Sequence, residues 1–153
     1  GDPIHPDITV DQLDALAERN ADLLPHGADW RAVAAPEPFG DLVGTPVADL
    51  PTAGTSTVGF DLEQASDLAA VDTAATGALP VFVWGTASDG DAPDHLLVAL
   101  NGTVAGVLSR LSADGTHVGV LDDALVRQGD NEVEVLVPSE DGTTFAPIAL
   151  ANP

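Results

Sequence analysis

Serine hydrolysis needs a hydroxyl nucleophile, an imidazole base and an acid, and this chain holds all three types, with four His and 25 acidic residues among its 153. The segment closest to a nucleophile elbow is Gly54-Thr55-Ser56-Thr57-Val58-Gly59. It exceeds the G-x-S-x-G spacing by one residue and lacks the strand-turn-helix context that exposes such a serine. It therefore reads as strand, and no catalytic residue is assigned. A second constellation, Asp89-Gly90-Asp91-Ala92-Pro93-Asp94-His95, gathers three carboxylates and an imidazole in one loop. Hard cations take oxygen ligands, so Asp89, Asp91 and Asp94 are the candidate metal ligands, and Ca2+ is the one cofactor the loop would admit. The spacing is not that of a helix-loop-helix calcium site, and a solvated turn is the preferred reading. His5, His26 and His117 fall in no HxH or HExxH arrangement and read as packing or surface residues.

Sugar recognition on a β-sheet protein uses exposed aromatic faces with polar neighbours. Only two Trp and four Phe are present. Trp30 and Phe39 lie in a proline-rich stretch and are the candidate ligand-binding residues, although anchoring that stretch to the body explains them as well. Phe82 and Trp84 share one face of the apolar run Val81-Phe82-Val83-Trp84-Gly85 and are assigned to the core.

Positioning these residues requires a scaffold, and its clearest part runs from Asp94 to Val137. Asn101-Gly102 between two apolar runs is a hairpin signal, because both central residues of a type I′ turn need positive φ. Strands are expected over 95–100, 103–108, 116–121, 132–137 and 144–150, with a first strand at 55–60 and another at 81–85. Val133, Val135 and Val137 alternate with Glu132 and Glu134, placing one face in the core and the other in water. Leu96, Val98 and Leu100 form a similar stripe. A helix is expected over 10–23, where Thr9 and Gln12 form a capping box ahead of Val10, Leu13, Leu16 and Leu23. A short second helix is expected within 62–71, and one helical turn within 121–127 capped by Asp122. Residues 25–51 carry five prolines and read as a connector; no internal repeat is evident.

The chain is long enough for one domain with a core, which must be built from Val, Leu and Ala. No apolar run approaches the about 18 to 20 residues that a spanning helix needs, so direct membrane insertion is not expected. The formal charge of −21 is spread along the chain. Nucleic acid and anionic membrane surfaces are bound through Lys and Arg, so both are excluded as partners. Diffuse acidity is read first as an organism-wide habit. The lack of Cys removes disulfides and thiolate chemistry and fits an extracytoplasmic bacterial domain. Gly1, in place of an initiator Met, is read as the start of a piece of a longer protein.

The run Leu97-Val98-Ala99-Leu100-Asn101-Gly102-Thr103-Val104-Ala105-Gly106-Val107, then 118–121, then Arg127-Gln128-Gly129-Asp130-Asn131-Glu132-Val133-Glu134-Val135, has the cadence xVAVNGxxA … LxxGxNxVEV. It resembles the C-terminal extracytoplasmic domain of actinobacterial membrane-bound sulfatase-like proteins of the alkaline phosphatase superfamily. Asp41-Leu42-Val43-Gly44-Thr45-Pro46-Val47 is similar to the LxGxPV segment that opens that domain, and Val71-Asp72 with Leu79-Pro80 falls at its VDP…P stretch. Carbohydrate-binding jelly rolls of glycosidases share the NG … GxN cadence, and actinobacterial arabinosyltransferases carry comparable periplasmic domains. The family's nucleophilic Thr or Ser and its metal-binding Asp and His belong to the preceding catalytic domain, and no segment here matches them. The resemblance thus implies an accessory module, not itself an enzyme, on the periplasmic side of the membrane.

The resulting expectation is a mainly β protein, an antiparallel β-sandwich of jelly-roll or immunoglobulin-like type, with an N-terminal amphipathic helix and a short second helix. Residues 1–51 form the helix and connector, and 52–153 the sandwich. The expected function is recognition of envelope glycan, with cell-wall polysaccharide and the parent catalytic or membrane domain as partners. The alternative is a structural domain that packs on its parent without binding ligand.

Overall fold

The computed structural model describes residues 34–74, 82–88 and 92–150. The helix expected at 10–23 lies outside these residues, as do Trp30, Asp89 and Asp91. The described chain is mainly β, with seven strands: β1 (Gly59–Leu62), β2 (Phe82–Ala87), β3 (His95–Leu100), β4 (Thr103–Arg110), β5 (Thr116–Val120), β6 (Val133–Pro138) and β7 (Phe145–Leu150). They are hydrogen-bonded in the order β1-β2-β5-β4-β3-β6-β7, and β1 meets β7 in parallel at Gly59–Ala149 and Phe60–Leu150, closing the sheet on itself. Every other pairing of these strands is antiparallel. Between the two sandwich types expected, this strand order is that of the immunoglobulin-like Greek key, the closed sheet running from β1, β2 and β5 through β4 to β3, β6 and β7. β4 forms the corner, paired with β3 along its length and with β5 at Leu108–Arg110.

The Asn101-Gly102 turn forms as its sequence requires, with φ of 53° and 78°. Beyond it the β3–β4 register shifts between Val98 and Ala99. A bulge of this kind lets Val104 and Val107, three residues apart, serve the same face. Both pack outside the β3-β6-β7 side with Leu97, Leu136, Leu50 and Phe145, whereas Ala105 and Leu108 join the central core.

That central core contains Phe60, Leu62, Val83, Leu96, Val98, Leu100, Val135 and Ile148, so the Leu96–Val98–Leu100 stripe faces inward as expected. The opposite face of β6 is less wet than its Glu residues suggest. Leu136 is buried and Glu134 half-buried, because the connector crosses this face and packs Phe39, Leu42, Val43 and Val47 onto it. Its path is fixed by backbone hydrogen bonds to β4: Gly44 N donates to Val104 O, Val104 N to Thr45 O, and Val47 N to Gly102 O. Desolvation by this cover, followed by the charge of Glu132, raises the Glu134 pKa.

Three further expectations are corrected. The first strand begins at Gly59 rather than at residue 55, because 52–56 pair irregularly with β7 through Ala53 N to Phe145 O and Ser56 N to Pro147 O. The helix within 62–71 shrinks to α1, Ala65–Leu68, since Leu62 is claimed by β1. β2 is not covered on both sides: Val83 is buried, but Phe82 and Trp84 are 58% and 37% exposed. The turn at Asp123–Leu125 does form, with Asp122 Oδ1 accepting from Ala124 N at 3.1 Å.

Candidate functional site

The outer face of the β1-β2-β5 side is assembled by strand alternation. Side chains two residues apart on a strand share a face about 7 Å apart, so Val83 turning inward sends Phe82 and Trp84 outward together. Register then sets Val120 beside Phe82, Val118 beside Trp84 and Thr116 beside Thr86. Ser109 of β4 and Asp61 of β1 extend the same face, paired with Val118 and Thr86. Gln64 locks the edge, its Oε1 accepting from Trp84 N at 2.9 Å. The result is a shallow aromatic platform bordered by hydroxyl and carboxylate groups. Among the described residues no element lies over it. Sequence reasoning assigns Phe82 and Trp84 to the core because an apolar strand usually has cover on both faces; among the described residues nothing covers this one.

Phe39, the other described aromatic candidate, is not an open platform. Its ring is half-buried and makes edge contacts with His95 and Phe145 at centroid distances of 6.2 and 5.9 Å. It anchors the connector and also lines a groove bounded by the β6–β7 turn and the start of β3. Asp94 is exposed at the mouth of β3, and the described residues contain no group of three His, Asp or Glu placed to hold a metal.

The two described imidazoles have different surroundings. His117 is fully buried, with Nδ1 2.8 Å from Gly115 O and Nε2 2.8 Å from Pro93 O. Each nitrogen faces a backbone carbonyl, to which only an N–H can donate, so the buried ring braces the β2–β3 and β4–β5 loops and opens neither nitrogen to solvent. His95 Nδ1 lies 3.4 Å from Ser109 Oγ, longer than the about 2.6–3.2 Å of a nucleophile–base pair. Among the described residues no carboxylate holds its other nitrogen. Nearby, Arg110 donates to the carbonyls of Ala92, Ser112 and Ala113, tying the β2–β3 and β4–β5 loops together.

The structure also reveals a local repeat that strand and helix periodicity does not mark. Ser112-Ala113-Asp114-Gly115-Thr116 and Ser139-Glu140-Asp141-Gly142-Thr143 build the same turn. In each, the Asp Oδ1 accepts from the Ser hydroxyl, from the Thr backbone N at 3.1 Å and from the Thr hydroxyl at 2.8 Å, while Gly takes positive φ. Hydrogen bonds to the ionised form stabilise it. The Ser139 and Thr143 hydroxyls, with Thr143 N, accordingly lower the Asp141 pKa to about 2, and the Ser112 and Thr116 bonds lower that of Asp114.

A folded-state pKa below the unfolded one contributes stability that is present above the ordinary value of 3.8 and is lost as pH falls toward about 2. Thermal melts of the Asp141→Asn variant and the parent between pH 5 and pH 2 should therefore converge as the pH drops. Melting curves offset by the same amount throughout would show that Asp141 contributes nothing through its charge.

No protein-family model matches the chain, and no curated protein matches it.

Proposed function

We propose that this chain is a non-catalytic, extracytoplasmic accessory domain of a larger membrane-anchored cell-envelope enzyme, and that it recognises envelope glycan through the outer face of β2 and β5. The observation that carries this reading is the paired exposure of Phe82 and Trp84 on one strand. Aromatic faces supply large contact area at low conformational cost and suit the C–H faces of sugar rings, while Thr86, Thr116 and Asp61 border them with groups able to bond hydroxyls. The resemblance of the NG … GxN cadence to envelope-enzyme domains supports the setting. The competing reading is a structural domain that lays this same face on its parent catalytic domain, and Val118 and Val120 beside the aromatics favour it.

Calorimetric titration of the purified protein with soluble actinobacterial cell-wall arabinan and galactan separates the two. Saturable binding that weakens about tenfold or more in Trp84→Ala, equivalent to about 1.4 kcal/mol, supports glycan recognition. Phe82, 58% exposed, is the milder probe: Phe82→Ala should unfold within about 1 kcal/mol of the parent. Trp84→Ala, at 37% exposure, should also lose packing and cost more, so binding is compared only for variants that melt cooperatively. If no polysaccharide binds, glycan recognition fails and the packing face remains.

A further inference from the structure

A groove of about 810 Å³ lies between the connector, the start of β3 and the β6–β7 turn, and shares no residue with the Phe82–Trp84 face. Its volume falls in the range of about 300–1,000 Å³ usual for ligand sites. The floor is apolar, formed by Phe39, Leu42, Val58 and Val137. It is also preformed. Phe39 is held by His95 and Phe145, and the β6–β7 turn passes so close that a Cβ at Gly142 would come within 3.3 Å of its ring.

The rim carries Asp41, Asp94, Glu140 and Asp141, and among the described residues no Lys or Arg lines the groove. Asp141 is aimed by the Ser139 and Thr143 bonds to its Oδ1. An anionic ligand would be repelled by these carboxylates, and a wholly apolar one would desolvate them without compensation. We propose that this groove binds a basic peptide, seating an apolar side chain on the Phe39 floor and pairing flanking Arg or Lys side chains with the rim carboxylates.

The rim groups come from three separate stretches of chain, around 41, 94 and 140, so a ligand carrying cations on both sides of an apolar residue engages more of them than a single amine does. The chain's own residues 1–33 are a poor occupant, with seven acidic residues against two Arg. A second copy is opposed by the charge of −21 on each molecule.

The test is fluorescence anisotropy with a labelled tetrapeptide of alternating Leu and Arg, at about 0.15 M salt to screen the long-range field. The rim pair Asp41→Asn/Glu140→Gln is compared with a remote pair, Asp67→Asn/Asp123→Asn, which removes the same net charge. Partly exposed ion pairs contribute about 0.2–1 kcal/mol each, so the rim pair should weaken binding about two- to thirtyfold and the remote pair leave it unchanged. Phe39→Ala should weaken binding further, and Phe39→Leu, which keeps an apolar floor, should retain most of it. The proposal is overturned if rim and remote pairs weaken binding equally, which would mark attraction to the whole acidic protein. It is also overturned if a Leu–Gln tetrapeptide binds as well, or if arginine amide alone competes at equal concentration.

Discussion

Replacing Asn131 with Ala is expected to destabilise the fold by about 2 kcal/mol, because it removes a buried amide that holds several loops together and strips Arg127 N and O of their partner, while Leu68 O and Gly129 O keep the backbone donors Asn131 N and Val71 N. Asn131 is 3% exposed. Its Nδ2 donates to the carbonyls of Leu68, Arg127 and Gly129 at 3.0, 3.0 and 3.2 Å, and its Oδ1 accepts from Arg127 N at 2.8 Å and from Asn101 Nδ2 at 3.0 Å. Asn101 Oδ1 in turn accepts from Glu132 N at 3.2 Å. One amide thus joins the end of α1, the loop before β6 and the β3–β4 turn. Asn131→Asp keeps both acceptor positions but sets a carboxylate against three carbonyl oxygens. It should be worse than Ala at pH 7 and recover on acidification, when a protonated carboxyl restores one donor. Urea unfolding monitored by far-UV circular dichroism gives the comparison. Asn101→Gly retains the positive-φ turn while cutting the link to Asn131, so the two substitutions should be non-additive, as expected for partners in one network. A cost below about 1 kcal/mol for Asn131→Ala would mean that water replaces the amide and that the loop is held by something else.

This network explains why the NG … GxN cadence is legible. Asn101 is read correctly as a turn residue because the demand on φ is local, and the strands on either side of it follow from alternation. Its second role, bonding Asn131 and Glu132, lies thirty residues away in sequence and is carried by no short pattern. The same division separates the other successes and failures. Asp122 as a cap and β3 as an inward stripe depend on neighbours within a few residues. Whether Leu136, Phe82 and Trp84 are buried depends on which sheet face another segment crosses. The connector covers Leu136 because Gly44, Thr45 and Val47 bond to β4, and no described segment does the same over β2. An apolar strand residue carries no mark of this difference, so sequence reasoning passes over the aromatic face and offers Trp30 and Phe39, in the connector, in its place. The Ser-x-Asp-Gly-Thr turns are within reach of the sequence, since all their bonds are local; they escape notice because the two copies share only three fixed types in addition to their Ser.

Phe60→Ala is expected to cost about 3–5 kcal/mol, the range for deleting a fully buried aromatic ring. Phe60 is 0% exposed and central to the larger core cluster, and its ring meets His117 edge-on at 6.0 Å. The ring reaches across to β2 at Gly85, where a Cβ would collide with the Asp61 carbonyl and with the Phe60 ring itself. Gly85 is therefore needed for close approach rather than for its φ. Gly85→Ala should push β1 and β2 apart and destabilise by about 1–3 kcal/mol, the usual cost of overpacking. Combining it with Phe60→Leu tests the cause. The smaller side chain removes the ring clash but not the clash with the Asp61 carbonyl, so Gly85→Ala should cost less in the Phe60→Leu background than in the parent and still remain destabilising. Chemical unfolding of the parent, the two single variants and the double variant supplies both numbers. If Gly85→Ala costs the same in both backgrounds, the backbone contact alone excludes a side chain at 85. If it costs nothing once the ring is gone, the ring alone does. Either result also bears on the aromatic face, because Phe82 and Trp84 lie on the same strand as Gly85, and their outward direction is fixed by the inward packing of Val83 against that core.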